Sequence, residues 1–266
     1  MKSGRSMIRQ IARQMILTVR RGKNYFDVIA NRGDRFECPF CGYRSNRLSI
    51  VGSGQQVLID KDVVGAKIRE GGCFKCGSKD RHRLVLVYLK YKLGIFSSDA
   101  IIRILHMAPE KSLSKYIQNN SSHEYIGGDL VPERYSYVKN MVKVDLLEIP
   151  YENDSFDLII CNHLLEHISQ DDLAMQEIRR VLKPGGTAIL QVPISLNSET
   201  TYEDGTITSP QDRLVAFGQS DHVRIYGRDY PDRLRKAGFE VNVQNISKEF
   251  ARFGLNPNED LFMATK

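Results

Sequence analysis

At 266 residues the chain has room for one large α/β domain and a small module. Its 41% hydrophobic and 26% charged content is ordinary for a globular protein. No run approaches 18 consecutive apolar residues, which argues against a transmembrane helix. Arg9 and Arg13 interrupt what would be the apolar part of a secretory signal, so a cytoplasmic protein is expected. The net charge of +6 is lopsided: residues 1–33 hold eight of the 38 basic residues and one of the 32 acids, Asp27, leaving 30 basic against 31 acidic residues elsewhere. The basic balance belongs to this leader and lends the rest of the chain no basic track for nucleic acid.

Residues 5–20 have helical periodicity, with Ile8, Ile11, Ala12, Met15, Ile16 and Val19 on one face and Arg5, Arg9 and Arg13 on the other. A basic amphipathic helix docks on its own domain, lies peripherally on an anionic membrane surface, or grips RNA, and the leader (1–33) leaves the three readings open. Residues 34–79 form a second unit that starts and ends on cysteine pairs. They read Cys38-Pro39-Phe40-Cys41-Gly42 and Cys73-Phe74-Lys75-Cys76-Gly77, with 31 residues between Cys41 and Cys73. Each C-x2-C offers two thiolates from one turn, and four sulfurs suit a structural zinc, with no open position for catalysis. The fifth cysteine, Cys161, reads as a buried strand-end residue. Short strands are expected at 47–51 and 56–59, and a helix over 80–95 with Gly94 near its end.

From there strand and helix patterns alternate through a third unit, 80–266, which predicts a mainly parallel sheet covered by helices. Strands are expected at 101–106, 124–127, 142–144, 156–161, 187–192, 239–245 and 260–265. Helices are expected at 109–119, with Pro109 as first residue, at 170–182, with Ser169 and Asp172 as a capping box, and at 228–237. Residues 194–226 read as a long polar insertion. The strand ending in Leu105 runs into His106-Met107-Ala108-Pro109-Glu110, where a nucleotide loop belongs in such a sheet. Asp129, after Gly127 and Gly128, is placed to accept two ribose hydroxyls or to form a turn. Asp145 is placed to meet an adenine amino group or to cap its strand.

Two stretches carry a family resemblance. Phe156-Asp157-Leu158-Ile159-Ile160-Cys161-Asn162-His163-Leu164-Leu165-Glu166-His167-Ile168, and Arg179 to Gly186 followed by the strand to Val192, resemble the corresponding regions of Rossmann-like (class I) methyltransferases. Ala237-Gly238-Phe239 resembles that family's lead into its sixth strand. The resemblance covers about residues 98–266. It implies a seven-stranded sheet with an antiparallel last strand, S-adenosylmethionine as methyl donor, and His106, Ala108, Glu110, Asp129, Asp145 and Asn162 as cofactor contacts. The first loop departs from the family's acid followed by x-G-x-G-x-G: His106 replaces the acid, and Ala108 and Glu110 fall on the first two glycines. This form resembles a bacterial subgroup with a His-x-Ala-Pro-Glu turn, some of whose members are linked to surface-glycan synthesis. Glu110 then holds the cofactor's amino group or caps the helix.

Methyl transfer from a sulfonium needs an aligned nucleophile, and a base where the acceptor is a hydroxyl. His163, Glu166 and His167 lie at the sheet's carboxyl edge, but in the order H-L-L-E-H and not the zinc-protease H-E-x-x-H, so no second metal site is expected. Asp221 to Gly227 resembles a stretch of the same subgroup, and the insertion also carries Glu203, Asp204 and Arg224. His222 is the leading base, with a salt-bridged loop histidine as the structural alternative; His163 is the second candidate, with helix capping or packing as its alternative. The resulting expectation is a methyltransferase acting on a small-molecule or glycan hydroxyl or amine, with the zinc module shaping the acceptor site. An RNA methyltransferase gripping its substrate through zinc module and leader, and a non-catalytic scaffold, are the competing readings.

Overall fold

The computed structural model describes residues 25–266; the periodic segment at 5–20 lies outside them. The first part of the described chain is two antiparallel hairpins, β1 (Arg32–Glu37) with β2 (Arg44–Ser45), and β3 (Ser49–Val51) with β4 (Arg69–Gly72). Between β3 and β4 runs an excursion, residues 52–68, holding the short helix α1 (Gln56–Asp60). A strand was expected there at 56–59; with no partner strand at hand, the segment coils instead, and Gln56 Nε2 donates to Asp60 Oδ1 one turn on. Helix α2 (Asp80–Tyr91) follows, buried on nearly every side from Leu84 to Leu89.

The main sheet comprises β5 (Arg103–Met107), β6 (Glu124–Asp129), β7 (Met141–Lys143), β8 (Phe156–Asn162) and β9 (Leu182–Gln191). Two further strands close the chain, β12 (Glu240–Gln244) and β13 (Leu261–Thr265), after a small antiparallel pair in the insertion, β10 (Tyr202–Glu203) and β11 (Arg224–Ile225). Its order is β12-β13-β9-β8-β5-β6-β7, with β13 antiparallel to both neighbours and β5 to β9 parallel. This is the Rossmann-like fold with an antiparallel last strand. Buried side chains alternate between the faces. Leu105, Ile159, Cys161, Leu190 and Phe262 pack under α4 (Asp171–Val181) and α6 (Tyr230–Lys236). Ile104, Leu158, Ile160, Ile189 and Met263 pack under α2 and α3 (Lys111–Asn120). Because both faces are covered, the strands are apolar on both sides.

Three boundary expectations are corrected. Helix α3 starts at Lys111 with Glu110 as N-cap, two residues later than a Pro109 start, because Pro109 completes the turn out of β5. The Ser169–Asp172 capping box does not form. Helix α4 is capped at Gln170 without a side-chain bond, the Ser169 carbonyl accepts instead from Arg224 Nη2, and Asp171 turns inward to Arg233 and the Tyr226 hydroxyl. Strand β9 begins at Leu182, earlier than expected, carrying Lys183 to Gly186 within it. The insertion is ordered: α5 (Pro210–Phe217) is capped by Ser209 Oγ, which accepts from the Asp212 amide, and ends on Gly218 in the left-handed region.

Candidate active site

Strand β5 lies between β6 and β8, so the chain leaves it in one direction for β6 and later returns on its other side. At such a switch point the carboxyl ends of the strands open a crevice where ligands bind. Met107 to Glu110, Asp129 and Asn162 are brought to that edge. Ala108 adopts φ +43, unusual for a non-glycine residue, and its amide donates to the Gly128 carbonyl. Four side chains form a chain of hydrogen bonds beneath the loop. The Tyr125 hydroxyl meets His106 Nδ1 at 2.8 Å, His106 Nε2 meets Glu110 Oε2 at 2.8 Å, and Asn162 Nδ2 donates to Glu110 Oε1 at 3.2 Å. The Nε2–H tautomer of His106 satisfies both of its contacts. Burial pushes the Glu110 carboxyl up, but the hydrogen bond from His106 prevails and holds it at about 2. His106 is wholly buried with both nitrogens occupied, so its reach toward a ligand runs through Glu110. Asn162 Oδ1 is buried without a partner among the described residues.

Asp129 ends β6 with Oδ1 accepting from the Val131 amide and Oδ2 from the Tyr135 hydroxyl. Asp145 is exposed, and its Oδ1 accepts from the Leu147 amide in a local turn.

Just past β8, His163 takes φ +51, a sparsely populated conformation of the kind that gathers at functional sites. Neither of its ring nitrogens has a hydrogen-bond partner among the described residues, and burial keeps the imidazole neutral by pushing its pKa well down. Its Nδ1 is 3.8 Å from Glu166 Oε1. Glu166 is buried, its Oε2 also without a partner, and desolvation pushes its carboxyl up to about 8. His222 packs edge-on against His167, ring centroids 4.6 Å apart. Burial, with His167 beside it, pushes His222 down to about 4. The salt-bridged alternative for His222 is not what forms: it is His167 Nδ1 that lies 3.4 Å from Asp221 Oδ2.

His163, Glu166 and His222 line one cavity of about 510 Å³. One wall is the β3–β4 excursion, which docks on the insertion through Leu58, Val63 and Ala66 against Phe217 and Ile225. Backbone bonds from Val64 to Ile194 and from Leu196 to Asp62 fix it there. The 31 residues between the cysteine pairs are thus a wall of the cavity. Lys79 and Arg81, at the start of α2, and buried Glu259 complete the lining. Sequence reasoning missed these three, which come from segments with no motif of their own, and Tyr125, whose partner His106 lies on the neighbouring strand. Arg224, expected only as an insertion residue, is buried and donates to the carbonyls of Leu165 and Ser169, pinning the insertion to the segment after β8.

The four cysteines converge. Two matching knuckles form as Gly42 and Gly77 amides donate to the Cys38 and Cys73 carbonyls, both glycines at positive φ. Cys38 Sγ is 3.6 Å from Cys76 Sγ, and Cys41 Sγ is 3.7 Å from Cys73 Sγ. A tetrahedron with metal–sulfur bonds of about 2.3 Å has edges of about 3.8 Å, so the donor set fits zinc.

Fold and site together define a Rossmann-like α/β protein with a crevice at the first-strand switch point and a neighbouring cavity lined by His163, Glu166 and His222. Residues 109–190 match the family model Methyltransf_11, described as a methyltransferase domain. The chain is 26% identical over 176 residues to a sterol 24-C-methyltransferase from Kluyveromyces lactis, covering 59% of this chain and 45% of that protein. It is 28% identical over 120 residues to the ubiquinone/menaquinone biosynthesis C-methyltransferase UbiE from Idiomarina loihiensis, covering 40% and 48%. The chain thus spans about half the length of the curated relatives it matches. Among solved structures, a 1,6-didemethyltoxoflavin-N1-methyltransferase from Burkholderia thailandensis, with 1,6-didemethyltoxoflavin and S-adenosylhomocysteine bound, superposes with TM-score 0.48 at 18% identity, covering 70% of this chain and 77% of that one. No helix among the described residues is long and apolar enough to cross a membrane.

Proposed function

We propose that this chain is an S-adenosylmethionine-dependent methyltransferase acting on a small-molecule or glycan hydroxyl or amine, with a structural zinc at Cys38, Cys41, Cys73 and Cys76. The observation that carries the reading is the methyltransferase-domain match over 109–190, which spans the turn after β5, strands β6 to β8 and most of β9. When bound, S-adenosylmethionine supplies a methyl group on a sulfonium, ready for displacement by an aligned nucleophile. In this reading Asp129 accepts the ribose hydroxyls, small Ala108 permits close approach of the backbone, and Glu110, held charged by His106, receives the donor's ammonium. Asn162 offers its unpartnered Oδ1 at the same edge, and Asp145 stands by the adenine. The acceptor occupies the cavity lined by the excursion and the insertion. His163 or His222 takes the acceptor's proton, both being neutral imidazoles at its wall.

Calorimetry with S-adenosylmethionine, S-adenosylhomocysteine and NAD tests the donor: binding of NAD alone would sink the assignment. Retardation of structured RNA that weakens steeply with salt would move the acceptor to RNA. An untargeted search for a metabolite that gains a methyl group identifies it otherwise.

A further inference from the structure

The order His163-Leu164-Leu165-Glu166-His167 led to the expectation of no second metal site, and the present proposal runs against it. The folded chain makes a different grouping. Glu166 and His167 follow β8, and the insertion returns His222 to them, so that one ligand atom from each lies within 4.8 Å of the other two. Two histidines and one carboxylate are a donor set for a first-row divalent ion with open positions. Three further observations point the same way. Glu166 Oε2 is buried and has no partner among the described residues, although a buried carboxylate oxygen normally finds one. His167 Nδ1 lies 3.3 Å from the Asp221 carbonyl and 3.4 Å from its carboxylate, the kind of contact that orients a metal-binding imidazole. Gln219 Nε2 in turn lies 2.6 Å from Nε2 of His222, a second contact that orients a ring of the group.

We propose that Glu166, His167 and His222 form a divalent-metal site in the wall of the acceptor cavity, separate from the four-cysteine zinc. Glu166 and His222 both line the cavity, so the ion's open positions face the space where the acceptor sits. A hydroxyl or carboxylate oxygen of the acceptor takes one of them, and the site therefore selects oxygen-bearing acceptors. That use rests on the methyltransferase reading, with His163 left as the base when His222 holds the ion; the existence of the site does not. Arg224, tied to the Leu165 and Ser169 carbonyls, keeps the insertion from withdrawing His222.

Cobalt(II) titrated into the full chain carrying one equivalent of zinc, which the four thiolates hold, provides the test, with no donor or acceptor present. One further equivalent is expected, showing visible d–d bands without the near-ultraviolet band that thiolate ligands give. Glu166→Gln and His222→Ala should each lower the affinity at least tenfold, with folding followed by circular dichroism. Asp221→Asn is an exposed change that should fold normally and weaken uptake about 10–100-fold. Failure to take up a further equivalent, or uptake unchanged in Asp221→Asn and in the folded ligand variants, overturns the proposal. Calorimetry with S-adenosylhomocysteine reports separately on the methyltransferase reading, so the two can fail independently.

Discussion

Asp129 has each carboxylate oxygen engaged once, by the Val131 amide and the Tyr135 hydroxyl. A carboxylate oxygen accepts more than one hydrogen bond, so the pair still has capacity for two ribose hydroxyls. Hydrogen bonds to a charged group contribute about 1.5–3 kcal/mol each. Asp129→Ala is accordingly predicted to weaken S-adenosylhomocysteine binding by at least about tenfold in calorimetry, and unchanged affinity would remove the residue from the site. Glu259 behaves differently. It is buried beside the start of α2, where desolvation and nearby Asp80 push its carboxyl up to about 7 while Arg81 and Arg69 pull the other way. Between the ordinary value of 4.5 and about 7 the folded state therefore holds a proton that the unfolded chain has lost. Its contribution to stability is full at the acid end and drains away as pH rises through that window. Glu259→Gln should flatten the decline in denaturant midpoint across that range; a profile parallel to wild type would show that Glu259 does not titrate there.

At the scale of elements, the two hairpins around the cysteines are too short to bury a core of their own. Only Cys38, Tyr43 and Cys73 are fully buried in their shared cluster. A bound structural zinc contributes on the order of 10–16 kcal/mol in isolated peptides, enough to hold such a module. Removing zinc with a strong chelator, or changing Cys38→Ser, is predicted to unfold residues 32–79 first and to open the cavity wall made by the excursion. Hydrogen exchange read segment by segment checks this: early loss of protection should appear at 52–68, and protection that persists there without zinc would mean that docking on Phe217 and Ile225 suffices.

Over the whole molecule, one buried cation joins these layers. Arg83 sits in α2 with Nη1 donating to the Ser78 carbonyl and Nη2 to that of Gly71 on the cysteine side. On the sheet side, Nε donates to the Phe253 carbonyl and Nη2 also to that of Gly254. An acceptor left buried and unsatisfied costs about 1–3 kcal/mol. Arg83→Met, which strips this donor from the Gly71, Phe253 and Gly254 carbonyls while that of Ser78 keeps the Cys73 amide, should lower the unfolding free energy by about 3 kcal/mol or more in urea, and should split one transition into two as the cysteine module uncouples; a single transition at the wild-type midpoint would refute that role. Much of the framework was legible in the chain itself. The apolar runs at β5, β8, β9 and β13 and the C-x2-C pairs are local patterns, and local propensity with hydrophobic period suffices to place them. The sequence by itself thus determined the order of the main sheet's strands and their covering helices, and where four thiolates recur. Only the tertiary structure decided that residues 52–68 wall a cavity, that His106 is buried against Glu110, and that His222 meets Glu166 and His167. Those groupings join segments far apart in the chain, and the packing that brings them together leaves no period or spacing to read.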